Sequence, residues 1–147
     1  MLMGLTQTTF PGDRKLPFEL NLREVEIGAR NKIDPLAATP FHVSHDDKAG
    51  PCLAYRIEIG GKIICYSGDT EWTDALLDAA RDADLFICEC YMFEKVIRAH
   101  LSLSTLRKKL LQIGAKRVIL SHMSDDMLSR LSEIDYETAT DGKIVSI

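Results

Sequence analysis

The feature that most constrains the fold is a glycine pair between two strand-like segments. The residues at 52–59 and 62–66 are mostly aliphatic, β-branched or aromatic, and Gly60-Gly61 separates them. Adjacent glycines supply the positive φ angles of a two-residue β-turn, so the pattern predicts a tight antiparallel hairpin. The second strand of this hairpin runs into the turn Ser67-Gly68-Asp69-Thr70, which places the Asp69 carboxylate at a strand end.

The period of the hydrophobic residues changes from that of a strand to that of a helix after Asp69. The predicted elements, in order, are a helix at 73–81, a strand at 84–90, a helix from Ser102 or Ser104 to Ile113, and a strand at 117–122. We expect Thr73 to cap the first helix and Gly114 to end the second. Because strands that alternate with helices usually pair in parallel, this part of the sheet is predicted to be parallel.

Further elements are predicted on both sides of this central region. They are an irregular stretch over the first 17 residues, strands at 18–22, 23–27 and 39–45, a short helix near 125–132, and a closing hairpin through Asp141-Gly142 into 143–147. Pro40 indicates an edge position or a strand start. The predicted fold class is therefore α/β (α+β), with β-hairpins followed by β-α-β-α units in a single domain over residues 1–147.

The composition excludes several classes of protein. The chain has 147 residues, of which 46% are hydrophobic and 27% charged, which fits one globular domain. Its apolar runs are far shorter than the ~20 residues that cross a bilayer, and Met1–Leu5 lacks the pattern of a signal peptide, so we expect a cytoplasmic protein without membrane contact. A formal net charge of −4 argues against a nucleic-acid partner. The four cysteines lack metal-knuckle spacing and are predicted to be reduced core thiols.

Three residues of metal-ligand type fall at the ends of predicted strands. His45 and Asp69 each follow a strand, and His122 ends one. Imidazole and carboxylate suit Zn²⁺, Mn²⁺ or Fe²⁺, and a metal with an open position can hold a water of lowered pKa as a nucleophile. Taken singly, Asp69 can also be explained as a turn residue, and either histidine as a surface or hydrogen-bonded core residue. Only the combination predicts a metal site.

Three short motifs at these positions resemble the metallo-β-lactamase superfamily, especially its ribonuclease Z-like and arylsulfatase-like branches. They are Pro-Phe-His-Val-Ser-His at 40–45, Ser-Gly-Asp-Thr at 67–70 and Leu-Ser-His-Met-Ser at 120–124. The resemblance implies the C-terminal half of an αββα sandwich that binds two metal ions, with Zn²⁺ expected and Mn²⁺ or Fe²⁺ as alternatives. It also implies that His45 ligates the first metal, that Asp69 bridges both, and that His122 ligates the second.

The resemblance extends with less detail to three neighbouring residues. Ala99-His100-Leu101-Ser102 is similar to a Gly-His-Leu-Ser/Thr element, which implies that His100 joins Asp69 in catalysis as a proton carrier. The dipole of the following helix would then keep His100 neutral, although a simple position before a Ser102 cap explains it too. Glu89 is either a partner of a ligand histidine or a surface carboxylate. His42 is expected to face away from His45 and to be structural.

The sequence departs from the family at the reaction centre. It has four histidines, none before His42, and no HxHxDH motif. One histidine per metal and a shared Asp69 give neither metal the three protein ligands of a catalytic site. We therefore expect a C-terminal fragment with an incomplete site, which a homodimer or a complementing N-terminal half would complete.

The expected function is hydrolysis of an ester, phosphodiester or lactone bond in a small molecule by metal-activated water. The alternative is a non-catalytic interaction or structural module that retains half of the fold. RNA processing is the weakest hypothesis, because the chain is acidic and has no Gly/Pro-rich arm to grip RNA.

Overall fold

One mixed sheet contains the described strands side by side in sequence order. The computed structural model describes residues 21, 23–46, 48 and 50–147. Within these residues the sheet has seven strands in the order β1-β2-β3-β4-β5-β6-β7. The strands are β1 Asn31–Ile33, β2 Leu36–Val43, β3 Cys52–Ile59, β4 Lys62–Tyr66, β5 Leu85–Glu89, β6 Val118–Ser121 and β7 Glu137–Thr138.

The sheet is antiparallel in its first half and parallel in its second. The pairs β1–β2, β2–β3 and β3–β4 are antiparallel, and β4–β5, β5–β6 and β6–β7 are parallel. The predicted hairpin forms with Ile59 opposite Lys62, and Gly60 and Gly61 have φ angles of 57° and 76°. Pro40 lies in β2 beyond the residues that pair with β1, so its missing N–H leaves no gap in that ladder.

The helices connect the parallel strands. They are α1 Ala75–Ala80, α2 Leu103–Lys109 and α3 Asp125–Leu128, with short 3₁₀ turns at Leu110–Gln112 and Leu131–Glu133. The Ser102 side chain accepts a hydrogen bond from the Thr105 N–H at 3.3 Å and caps α2. Gly114, with a φ of 71°, follows the last turn as predicted. No helix in the described part of the chain is long and apolar enough to cross a membrane.

The first helix begins differently from the prediction. It starts at Ala75, and the flanking residue Asp74 makes no side-chain cap hydrogen bond. Thr73 offers only its backbone carbonyl, to the Leu76 N–H at 3.1 Å, and its buried hydroxyl has no hydrogen-bond partner. The predicted Thr73 cap is therefore wrong: the Leu76 and Leu77 N–H groups donate to the backbone carbonyls of Thr73 and Asp74, and the Thr73 hydroxyl caps neither.

Two predicted strands near the chain ends are also wrong. Residues 23–27 are irregular, and the chain there is attached through the Gly28 N–H, which donates to the Pro40 carbonyl at 2.8 Å. The Asp141-Gly142 turn forms, but 143–147 add no strand, because the Lys143 side chain takes the Thr138 carbonyl at 2.7 Å. The predictions for the first 17 residues and the strand at 18–22 fall outside the described residues, Asn21 excepted.

The core lies between α1, α2 and one face of the sheet. Alternate strand residues point to this face, and its fully buried side chains include Cys65, Phe86, Leu76, Leu106 and Leu120. The four cysteines carry free thiols, and Cys65, Cys88 and Cys90 are buried as predicted, whereas Cys52 is only half-buried at the margin of the core. On the other face of the sheet the alternate residues of β4 are less covered, and Tyr66 is 44% exposed.

Candidate functional site

The topology of the sheet brings four strand ends to one edge. Because β2 and β4 are both antiparallel to β3, they are parallel to each other and to β5 and β6. Their carboxyl ends therefore lie together: His45, Asp69 and His122 follow β2, β4 and β6, and Glu89 is the last residue of β5. Ligand sites commonly form at such an edge, because loops expose side chains while strands fix their backbones.

The four residues predicted for the site are close to one another. The ring centroids of His45 and His100 are 4.9 Å apart, and those of His100 and His122 are 5.3 Å apart. The His122 Nε2 lies 3.5 Å from the Asp69 Oδ2. The structure thus joins three histidine rings and one carboxylate in a cluster, which we call the edge cluster: His45, Asp69, His100 and His122. His42 lies in β2 opposite Leu53 and is exposed.

A glycine positions Asp69. Gly68 has a φ of 62°, and a Cβ built on it would stand 2.7 Å from the backbone oxygen of Leu53. Both the left-handed backbone and this close approach require glycine. The Asp69 carboxylate therefore depends on a turn that leaves no room for a side chain beside β3.

Two buried hydroxyls hold the same turn in place, a role that the sequence analysis did not assign. The Ser67 Oγ accepts from the Glu89 N–H at 2.8 Å and donates to the Gly68 carbonyl at 2.7 Å. The Thr70 Oγ1 accepts from the Ser44 N–H at 3.2 Å, which links the turn to the residue before His45. Polar residues that flank Gly-Asp directly after a buried strand were the available signal.

Glu89 is a buried partner of His100. Its side chain is 2% exposed, so the surface alternative is wrong. One carboxylate oxygen accepts a short hydrogen bond from the Thr70 N–H, and the other lies 3.2 Å from the His100 Nδ1. The partner is therefore the predicted proton carrier, and the described contacts include none between Glu89 and the predicted ligands His45 and His122.

Burial shifts the pKa values of this pair in opposite senses. Desolvation raises the pKa of Glu89 to about 7, against the hydrogen bond from the Thr70 N–H, which lowers it. Desolvation lowers the pKa of His100, and the neighbouring His45 lowers it further. Enclosure and the neighbouring His45 thus favour the neutral form of His100, and a contribution of the helix dipole stays a prediction.

Tyr91 is a member of the site that sequence reasoning missed. Its ring stacks on His100, with centroids 4.6 Å apart and an interplanar angle of 23°, and it lies 5.3 Å from the His122 ring. It follows the end of β5 by two residues, so an aromatic residue after Cys88-Glu89-Cys90 was the available signal. The Tyr91 ring forms a wall that limits the movement of both histidines.

His122 occupies a strained backbone position. Its φ is 52°, in the left-handed region, which costs a non-glycine residue about 1–2 kcal/mol. The turn after β6 directs its ring toward Asp69 and Tyr91. Strain of this kind is often found at functional sites.

The edge cluster offers donor atoms for a metal ion, but these do not make up a complete coordination sphere. Its imidazoles and carboxylate are ligand types for Zn²⁺, and the buried Nδ1 of His45 has no hydrogen-bond partner. Yet the described residues contain no group of three or more His, Cys, Asp or Glu arranged to hold a metal ion. The donor chemistry fits a hydrolytic metal, and the ligand roles of His45, Asp69 and His122 stay predictions.

Comparison with known proteins gives a consistent family. Residues 3–123 match the family described as beta-lactamase superfamily domain. A probable metallo-hydrolase of Bacillus subtilis, YhfI, is 28% identical over 94 residues, which cover 60% of this chain and 38% of YhfI.

Solved structures agree in fold. The crystal structure of YhfI superposes with a TM-score of 0.63 at 20% identity, over 78% of this chain and 50% of that one. Human tRNase Z, short form, gives 0.61 at 20% identity, over 80% of this chain and 45% of that one. Zn²⁺-bound PqqB from Methylobacterium extorquens gives 0.65 at 13% identity, over 84% and 55%. The chain therefore spans about half the length of these proteins, or less.

Proposed function

Because the chain belongs to the metallo-β-lactamase superfamily, we propose that it carries the aspartate and histidine edge of a metal-dependent hydrolase site. The observation that supports this proposal is the edge cluster, in which three histidine rings and Asp69 meet where four strands end. His45 and His122 would each ligate one metal, and Asp69 would bridge the two. Zn²⁺ is the expected metal, with Mn²⁺ or Fe²⁺ as alternatives.

The bound metal would supply a water of lowered pKa and positive charge for the developing oxyanion. The proposed bond is an ester, phosphodiester or lactone in a small molecule. The other steps belong to the chain itself. Glu89 holds the Nδ1 of His100, which leaves Nε2 as the nitrogen that can take or return a proton. The lowered pKa of His100 keeps that nitrogen unprotonated at neutral pH, as a base requires.

The donor count supports a second contributor to the site. A catalytic Zn²⁺ commonly has three protein ligands, and the edge cluster offers one histidine per metal with a shared carboxylate. We propose that this chain forms the C-terminal half of an αββα domain and that a second copy or an N-terminal half supplies the missing ligands. Analytical ultracentrifugation over a range of concentrations tests the homodimer, and a monomer at all concentrations would exclude it.

Reporter hydrolysis tests the activity. Because the site is incomplete, we expect the Zn²⁺-treated chain to hydrolyse a nitrophenyl phosphodiester or ester only slowly, and Asp69→Asn to lower this rate at least about 100-fold by removing the bridging charge. Asp141→Asn is the matched control, since Asp141 is an exposed residue of the C-terminal turn and should leave the rate unchanged. No hydrolysis by the wild type, or equal rates in both variants, would favour a non-catalytic module.

A further inference from the structure

A cavity of about 330 Å³ opens beside the edge cluster and is lined by cationic side chains. Its walls include His45, Asp46, Lys48 and Arg98. The Asp46 carboxylate accepts a hydrogen bond from the Lys48 backbone N–H at 3.2 Å. Among the described residues of this cavity, two cations therefore lie beside one carboxylate, next to a predicted metal ligand.

Arg98 has no partner for its guanidinium, unlike most arginines of the described residues. Of the eight arginines in the described part of the chain, all but Arg23 and Arg98 bind a carboxylate or a backbone carbonyl: Arg30, Arg56, Arg81, Arg107, Arg117 and Arg130. Arg98 is exposed and has no hydrogen bond, ion pair or ring contact within the described part of the chain. Its five N–H donors are thus available to a ligand, in a planar arrangement that matches two oxygens of an oxyanion.

A strained turn places Arg98 in this cavity. Ile97 and His100 form an isolated β-bridge across residues 98 and 99, and Ala99 has a φ of 72°. A left-handed alanine costs about 1–2 kcal/mol, which an unconstrained loop would avoid. The turn fixes Arg98 two residues from His100, whose ring contacts His45 at 4.9 Å. The guanidinium and the edge cluster are therefore held on the same side of the molecule.

We propose that Arg98, assisted by Lys48, binds an oxyanion of the substrate beside the edge cluster. This inference rests on the proposed hydrolase and narrows its substrates to anionic ones, with a phosphate or carboxylate group near the bond that is cleaved. Arginine binds both groups through paired hydrogen bonds, so the shared chemistry is a planar or tetrahedral oxyanion.

Titration calorimetry of the Zn²⁺-equilibrated full chain with inorganic phosphate and with acetate tests the site without any turnover. We expect Arg98→Gln to weaken binding about tenfold, since a charge-assisted hydrogen bond is lost. Lys95→Gln is the matched control, because Lys95 is an exposed cation of the same loop outside the cavity. Its affinity should stay within about twofold of the wild type. The anion that binds with the higher affinity shows which oxyanion the site prefers.

The variant Asp69→Asn distinguishes phosphate binding at Arg98 from phosphate binding to a metal ion at the edge cluster. Phosphate held by Arg98 should still bind to Asp69→Asn, whereas phosphate held by a metal at the edge cluster should not. Wild-type affinity in Arg98→Gln would overturn the proposal, even if hydrolysis depends on Asp69. If anion binding depends on Arg98 but the chain shows no hydrolysis, the oxyanion site is supported and the proposed hydrolase activity is contradicted.

Discussion

At the scale of single residues, the position of Asp69 depends on one glycine. Gly68 combines a φ of 62° with a close approach to β3, because a Cβ added to it would lie 2.7 Å from the Leu53 carbonyl oxygen. Gly142 has a similar φ of 76°, but a Cβ there would meet nothing within 4 Å. The two glycines therefore separate the cost of backbone strain from the cost of a steric clash.

We expect Gly68→Ala to lower the free energy of unfolding by about 3 kcal/mol, because the left-handed strain and the contact with a backbone atom add. Gly142→Ala should cost about 1 kcal/mol, from strain alone. Urea denaturation of both variants measures the difference. Equal losses would show that the approach of Gly68 to β3 does not constrain the turn.

The raised pKa of Glu89 predicts a pH-dependent stability. A carboxyl whose pKa is about 7 when folded and about 4.3 when unfolded contributes stability below pH 4, and that contribution is lost as the pH rises through 7. His100, whose pKa is lowered, has the opposite effect: its contribution is present above its unfolded pKa and is lost as the pH falls through the folded value.

The variant Glu89→Gln removes the first of these effects. It keeps an acceptor for the Thr70 N–H, so we expect a folded protein whose stability relative to the wild type increases by roughly 2 kcal/mol between pH 5 and pH 8. Urea midpoints of both proteins across this range measure the change. Parallel pH profiles would contradict the assignment of a raised pKa to Glu89.

At the scale of elements, the sequence pattern correctly predicted the features that are determined by residues close together in the chain. The Gly60-Gly61 hairpin, the cap at Ser102 and the end of α2 at Gly114 follow from turn and cap chemistry within a few residues. The strands expected at 23–27 and 143–147 have suitable alternation, but hydrogen bonding of a strand requires a free sheet edge, which no local pattern reports.

The candidate site shows the same division. The positions of His45, Asp69 and His122 at the ends of predicted strands indicated that they would lie close together, since parallel strands bring their carboxyl ends to one edge. The burial of Glu89, the stacking of Tyr91 on His100 and the free guanidinium of Arg98 depend on how loops cross that edge. Those contacts join segments far apart in sequence, and a single chain read locally cannot predict them.

The buried thiols on β4 and β5 predict selective alkylation. Desolvation raises the pKa of Cys65 to about 12 and that of Cys88 well above its usual value. It also raises the pKa of Cys90, which directly follows β5, to about 12. Cys52 is only half-buried. Because the thiolate is the reactive form, iodoacetamide at pH 7.5 should modify Cys52 first in the native protein.

Mass spectrometry before and after denaturation follows this reaction. We expect one rapid modification, absent in Cys52→Ser, and three more only when urea unfolds the chain. Rapid alkylation of all four thiols in the native state would show that the core between the sheet, α1 and α2 opens on the timescale of the experiment.

At the scale of the whole molecule, the chain matches half, or less, of the length of YhfI and of human tRNase Z, short form. Its own residues build one edge of a sheet, with Asp69 and three histidines fixed by strands, turns and a buried carboxylate. We expect this chain alone to bind metal weakly, because the edge cluster offers each metal fewer protein ligands than a catalytic site commonly has.

Metal stoichiometry tests the central claim most directly. Equilibrium dialysis against Zn²⁺, and separately against Mn²⁺, at metal concentrations high enough to fill a weak site, followed by plasma mass spectrometry, should find about one or more metal ions per wild-type chain. Asp69→Ala should lose that metal, and the control Asp141→Ala should keep it. No metal in the wild type, or the same amount in Asp69→Ala, would contradict a metal site at the edge cluster.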